Sequence, residues 1–216
     1  MTEETGQATE NPLSSSRLTR LADLFNEAGM LRNIMRSGFA FLGSGEESVA
    51  EHSFRTAVIG YALAKITGAD APLAVLLCLF HDLHEARTGD FNYVNHLYDK
   101  CQARRALEDS VKGTGLENEI LGFYDMLEAK DSLEARVAAD ADQLDLICNL
   151  QEQLVKGNHY AADWIDSALP RLKLKQSREL AETILKTDPN HWWFGTIDKS
   201  WWVDRGGAAT ASQEKL

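Results

Sequence analysis

The sequence predicts an all-α fold. Apolar residues recur at helical spacing along most of the chain, and the segments they mark begin at Ser or Asp and stop at Gly. No apolar–polar alternation runs longer than a few residues, and no internal repeat is present.

The elements follow in order. "SRLTRLADLFNEAG" sets Leu18, Leu21, Leu24 and Phe25 on one helical face and stops at Gly29. "SVAEHSFRTAVIGYALAKITG" opens with a capping-box pattern, Ser48 with Glu51 three residues on, and closes at Gly68. "DAPLAVLLCLFHDLHEA" starts from Asp70 as N-cap, with Pro72 in the first turn, where its missing N–H is harmless. That segment is apolar nearly all round, so it belongs at the centre of the bundle. A helix is expected from about Val94 to Lys112, ending at the Gly113/Gly115 turn, and another from Leu116 to Ala129. A long one runs from Ser132 to Lys156 and stops at Gly157-Asn158. Further helical segments surround Pro170 and end near Asp188-Pro189.

A chain of 216 residues fits one domain with tails. The expected division is a disordered tail over 1–16, a single domain over 17–203 and a disordered tail over 204–216. The formal net charge of −11 repels phosphate backbones, which argues against nucleic acid as partner. An anionic substrate then needs a local cation, a metal or an arginine. Cys78, Cys101 and Cys148 are odd in number, widely spaced and without CxxC, so they read as small core residues rather than disulfides or a thiolate zinc site. The opening "MTEETGQATENPLSSS" lacks the basic start and apolar core of a signal peptide, and no apolar run approaches the ~18 residues of a membrane span. A cytoplasmic protein without membrane attachment is the expectation.

Four residues attract chemistry. His52, His81, Asp82 and Asp142 all lie on helices that are otherwise strongly apolar. A buried carboxylate is costly unless it is paired or bound to a cation. Two imidazoles and two carboxylates form a mixed N/O set suited to one divalent transition-metal cation, Mn, Fe, Co, Ni or Zn, better than to Ca or Mg. The absence of thiolates fits a catalytic site with open positions. The bland alternatives are a hydrogen-bonded core histidine and an aspartate that caps or pairs with an arginine.

Three stretches, "ESVAEHSFR", "FHDLHEARTGD" and "AADADQLD", together resemble the HD-domain phosphohydrolases. The likeness is to their compact single-domain branch, which includes bacterial 5′-deoxynucleotidases, and it spans roughly Arg32 to Asn158. The resemblance implies a compact helical bundle around a buried metal site, with His52, His81, Asp82 and Asp142 as ligands of one divalent cation. Asp142 is preferred over Asp140 and Asp145 by its distance from "KGN" at the end of the same helix. Glu85 and Asp90 match positions that line the site and help orient and activate a water. Within "LRNIMRSGF", Arg36 matches a phosphate-binding arginine. Two features depart from the deoxynucleotidase pattern: Ser37 replaces an aromatic that helps select the sugar, and "FNYVNHLY" replaces a proline-containing segment. They leave the deoxyribose preference open.

The expected activity is metal-dependent hydrolysis of (deoxy)nucleoside 5′-monophosphates by a homodimer. Phosphodiester, triphosphate or ppGpp hydrolysis, and a non-catalytic metal-bound nucleotide sensor, are the alternatives. His84 and His96 fit the spacing of a second metal poorly. "HWWFGTIDKSWW" reads as a segment clamped onto the core or as a dimer surface. His159 and His191 read as structural, and "RLKLKQSRE" as a solvated helix face.

Overall fold

The computed structural model describes residues 14–195. Among them the chain forms α-helices and no strand: α1 (Ser15–Met30), α2 (Gly38–Leu42), α3 (Val49–Thr67), α4 (Ala71–Phe80), α5 (Glu85–Thr88), α6 (Tyr93–Tyr98), α7 (Ala103–Val111), α8 (Glu117–Ala129), α9 (Leu133–Val155), α10 (Tyr160–Ala168) and α11 (Lys175–Lys186). Short 3₁₀ turns at Leu31–Asn33 and Leu169–Arg171 join them.

The starts of α3, α4 and α9 and the end of α3 are where the sequence places them. The Ser48 hydroxyl accepts the Glu51 N–H at 3.2 Å, and the Glu51 carboxylate accepts the Ser48 N–H at 2.7 Å, closing the capping box of α3. Asp70 accepts the Leu73 N–H at 3.1 Å to start α4, and Ser132 accepts the Ala135 N–H at 3.0 Å to start α9. Gly68 ends α3 in the left-handed conformation, φ 80°.

The trunk of the molecule is the packing of α3, α4 and α9. Leu63, Ala74, Val137, Leu144 and Ile147 fill one side of it, and Leu77, Cys78, Ala138 and Ala141 the other. The helices meet closely at Gly60 of α3. A Cβ there would lie 2.5 Å from Cys78 Sγ on α4 and 3.7 Å from Ala141 Cβ on α9. Glycine is required by this approach, not by backbone angle.

Several expectations need correction. On α1, Leu24 is buried, but Leu18 and Phe25 are exposed, so the helix packs over a narrower stripe. On α3, Phe54 and Val58 face solvent. His52 shares its buried face with Thr56, Gly60 and Leu63 instead, one helical turn apart. The central apolar helix stops at Phe80. Bonds from Leu83 N–H to Phe80 O (3.2 Å) and from Glu85 N–H to Asp82 O (3.0 Å) tighten the chain into turns before the single turn of α5. The expected helix from Val94 to Lys112 is two, α6 and α7. Asp99 between them is extended, and its carboxylate accepts the Lys100 N–H at 2.7 Å in place of a helical bond. "RLKLKQSRE" is not one helical face: Leu172 is fully buried, and α11 starts only at Lys175.

The tail boundary at residue 16 is also revised. Ser14 caps α1 by accepting the Arg17 N–H at 3.2 Å, so Ser15 and Ser16 are helical. The rest of the expected N-terminal tail, the C-terminal tail and the second Trp pair lie outside the described residues. Of "HWWFGTIDKSWW", His191–Gly195 is described, as a π-helical turn. Cys78 is buried and Cys101 and Cys148 half-buried, all as free thiols. No helix among the described residues is long and apolar enough to cross a membrane.

Candidate active site

Four predicted residues converge where the trunk helices meet. His52 projects from α3, fully buried. His81 and Asp82 occupy the turn that ends α4, and Asp142 lies mid-way along α9. His52 Nε2 is 3.1 Å from His81 Nε2, 3.3 Å from Asp142 Oδ1 and 3.7 Å from Asp82 Oδ2. His81 Nε2 is 3.1 Å from Asp82 Oδ2.

The opposite edges of both rings are occupied. His81 Nδ1 donates to the Cys78 carbonyl at 2.7 Å, and His52 Nδ1 donates to Asp145 Oδ2 at 2.7 Å. These bonds place the ring hydrogens on Nδ1 and turn two bare Nε2 lone pairs toward the same point as two carboxylates. Two imidazole lone pairs 3.1 Å apart repel unless a positive charge lies between them. His52, His81 and Asp142 each offer an atom within 4.8 Å of the others, and Asp82 stands beside them, so this mixed N/O set fits one divalent transition-metal cation. The same demand for positive charge shows in His52. Burial alone would lower its pKa, but the Asp142 and Asp145 carboxylates outweigh burial and raise it to about 10. Asp82 behaves in the mirror sense. Burial would raise it, yet His81, His52 and Arg36 hold it down at about 2.

The three aspartates of α9 are told apart by their partners. Asp140 accepts the backbone N–H of Lys173 at 2.9 Å and of Leu174 at 2.8 Å, fixing the approach to α11. Asp145 supports His52 from behind, and Asp142 alone faces the bare nitrogens. Gln143 Nε2 steadies Asp142 by donating to its Oδ2 at 2.9 Å.

His81, Asp82 and Asp142, with His52 buried behind them, line a cavity of about 450 Å³ whose walls also include Phe39, Phe41, Leu146, Phe91, Tyr93 and Trp164. The volume and the mix of apolar wall with a few polar groups are those of a small-molecule site. Glu47, Asp82, Glu85, Asp90 and Asp142 all line it against a single arginine, Arg36. Arg36 Nη1 lies 3.6 Å from Asp82 Oδ2. Its backbone N–H donates to the Glu47 carbonyl at 2.8 Å, which sets the side chain at the cavity edge. Glu85 is buried, and its Oε2 has no hydrogen-bond partner among the described residues. Burial, then Asp82 and Asp90, raise its pKa to about 9. An unpartnered buried carboxyl beside this cluster is suited to holding a water or substrate oxygen. Asp90 differs. Its Oδ2 accepts both the Ser37 N–H (2.5 Å) and the Ser37 hydroxyl (2.6 Å), and Asn92 donates to that hydroxyl at 3.1 Å.

Among the described residues, His84, His96, His159 and His191 join no cluster of potential metal ligands. Sequence reasoning did not single out Asp145, Arg55, Glu47, Gln143 and Arg171. Arg171 reaches the cavity wall, stacking 5.0 Å over the Tyr93 ring and bonding its hydroxyl. For Asp145 and Arg55 a signal existed: they stand three residues beyond Asp142 and His52, on the same helical faces.

The HD domain family model matches residues 28–187, and the chain belongs to the HD domain family. A 5′-deoxynucleotidase of Danio rerio, HDDC2, is 26% identical over 130 residues, which span 57% of this chain and 64% of that protein. A conserved hypothetical protein of Pyrococcus furiosus shares the fold with TM-score 0.64 and 26% identity, covering 77% of this chain and 99% of that one. A predicted metal-dependent phosphohydrolase of Magnetospirillum magnetotacticum does so with TM-score 0.63 and 22% identity, covering 81% and 94%. At that identity the likeness concerns the fold alone.

Proposed function

We propose that this protein is a metal-dependent phosphohydrolase that cleaves (deoxy)nucleoside 5′-monophosphates to nucleoside and phosphate. The observation that carries the reading is one aromatic-walled cavity that gathers Arg36 and Glu85 with His81, Asp82 and Asp142, with His52 buried behind them 3.1 Å from His81 Nε2. The kinship with a 5′-deoxynucleotidase, 26% identical over 64% of its length, supports the substrate class.

In this reading His52, His81, Asp82 and Asp142 hold one divalent cation, which supplies Lewis acidity toward phosphate oxygens and a more acidic water when bound. Arg36 receives phosphate oxygens through its guanidinium and offsets charge as the bond to the leaving oxygen breaks. Glu85, held protonated by burial beside Asp82 and Asp90, gives its carboxyl proton to the leaving 5′-oxygen and takes back the proton of the attacking water at its unpartnered Oε2. Asp90 holds Ser37, and with it the neighbouring Arg36, against the cavity. The aromatic walls give a base and sugar an apolar surface to stack on.

The test is phosphate release from ribo- and deoxyribonucleoside mono-, di- and triphosphates with Mn²⁺ or Co²⁺, with chelator, and with Asp82→Ala. Release confined to monophosphates and lost with chelator or variant is expected. Release from triphosphates alone, or none from any nucleotide, would overturn the reading.

A further inference from the structure

Behind the cluster lies a second set of charges that the chemistry above leaves unused. Arg55 stands on α3, three residues after His52, with its guanidinium facing three carboxylates. Its Nε donates to Asp145 Oδ1, its Nη2 donates to Glu47 Oε1 at 3.0 Å, and its Nη1 lies 3.4 Å from Glu152 Oε1. Asp145 and Glu47 are buried, and each faces the site in a different way. Asp145 accepts the Nδ1–H of His52 through its other oxygen at 2.7 Å. Glu47 accepts Asn149 Nδ2 at 2.9 Å through its side chain and the Arg36 N–H at 2.8 Å through its backbone carbonyl. The bridge between Met35 and Ser48 and the bond from Val49 N–H to Ile34 O at 2.9 Å zip the two chain segments together around that contact.

We infer that Arg55 is a positioning residue that couples the cation site to the phosphate site, holding His52 through Asp145 and Arg36 through Glu47. The physical reason is the shape of the guanidinium. Its planar fork bridges two buried carboxylates at fixed separation, which a lysine point charge cannot do. Without it, Asp145 and Glu47 keep only their bonds to His52 and Asn149 and face each other buried with no shared cation, so one or both must rotate. Rotation of Asp145 releases the ring of His52. Rotation of Glu47 loosens the segment that holds Arg36. One residue thus sets both halves of a site that must receive a cation and an anion together. The inference rests on the reading of His52 as a metal ligand and Arg36 as a phosphate binder.

The test compares metal-free unmodified protein with Arg55→Gln, Arg55→Lys and Asp145→Asn, and with Arg104→Lys as an exposed control arginine. Helical circular dichroism establishes folding. Calorimetry then measures Co²⁺ affinity, the Co²⁺ absorption band reports ligand geometry, and inorganic phosphate is titrated into protein saturated with Co²⁺. Arg55→Gln is expected to lower Co²⁺ affinity ~10–100-fold, the loss typical of removing support behind a metal-bound histidine, and to shift the absorption band. It should also weaken phosphate at saturating Co²⁺ by about tenfold, the scale of a lost charge-assisted hydrogen bond. Arg55→Lys should fall between, and Asp145→Asn should weaken Co²⁺ while leaving phosphate affinity at saturating Co²⁺ near that of the unmodified protein. Co²⁺ and phosphate affinities within about twofold of the unmodified protein in both Arg55 variants would overturn the inference. So would loss of Co²⁺ affinity with phosphate affinity intact, which leaves Arg55 serving the metal alone. Collapse of the helical signal in Arg55→Lys would make the residue a stability element and overturn it as well. Failure of the unmodified protein to bind Co²⁺ would instead overturn the metal-site reading beneath the inference.

Discussion

The trunk of α3, α4 and α9 and the rim from α5 through α6 touch the same cavity but are built on opposite principles. The trunk buries His52 and Asp145 completely, as it does Leu63, Leu77, Leu144 and Ile147. The rim helix α6 buries nothing: Leu97 is 77% and Tyr98 86% exposed. In the proposed reading the residues that hold a cation sit on elements that cannot shift without repacking a core, and those that meet a substrate sit on a rim with few buried side chains. Glu85, the first residue of α5, is buried at the seam between them.

Substitutions sharpen the contrast. At the seam, Glu85→Gln should lower kcat about 100-fold or more while Co²⁺ affinity stays near that of the unmodified protein. Loss of the metal in that variant, or unchanged turnover, would show that its role is misassigned. In the trunk, Gly60→Ala forces a methyl against Cys78 Sγ, 2.5 Å away, and should destabilise the fold by about 1–3 kcal/mol. Denaturant unfolding measures this, and an unchanged midpoint would mean that α3 and α4 separate freely. At the rim, Tyr93→Ala should raise KM about tenfold, roughly 1.4 kcal/mol, with little change in melting temperature. A large drop in melting temperature would instead make the rim part of the core.

The smallest effect concerns the strap between α1 and α5. Arg87 donates to Glu27 through Nε at 2.9 Å and Nη2 at 2.5 Å. That bond, with Ser110 and Arg20 nearby, holds the Glu27 pKa below its ordinary 4.5 despite partial burial. A depressed carboxylate adds stability that is fully present above its unfolded value and is lost as pH falls through its folded value. The gap in melting temperature between the unmodified protein and Glu27→Gln should therefore be small at pH 7 and close further as the pH drops below about 4.5. A gap that widens on acidification would reverse the assignment.

How much was legible in the sequence follows the same division. Trunk helices carry their own punctuation, Ser48 with Glu51, Asp70 with Pro72, Ser132 and Gly68, and their ends stand where those residues place them. The apolar helices around His52, His81, Asp82 and Asp142 made them candidates, but it was the resemblance of the three stretches that carry them to the HD-domain pattern that selected Asp142 over Asp140 and Asp145. The interior face of α3 was not. Phe54 and Val58 look like core but point outward, because three helices crossing at Gly60 fix which stripe is inside. The break between α6 and α7 was hidden for a different reason. "DKCQ" contains no Gly or Pro, and only the Asp99 side chain, competing for the Lys100 N–H, diverts the chain. The charges behind the site were missed as well: Arg55 carries only the weak signal of standing three residues beyond His52, and Glu47 looks like an ordinary surface residue until α9 brings Asn149 against it.

In the proposed reading two imidazole nitrogens and two carboxylates bind a single divalent cation. Metal-free protein is titrated calorimetrically with Co²⁺, with His81→Ala and Asp142→Ala beside the unmodified chain. One Co²⁺ per chain is expected, with affinity reduced by several kcal/mol in either variant. No binding by the unmodified protein, or equally tight binding in both variants, would refute the reading.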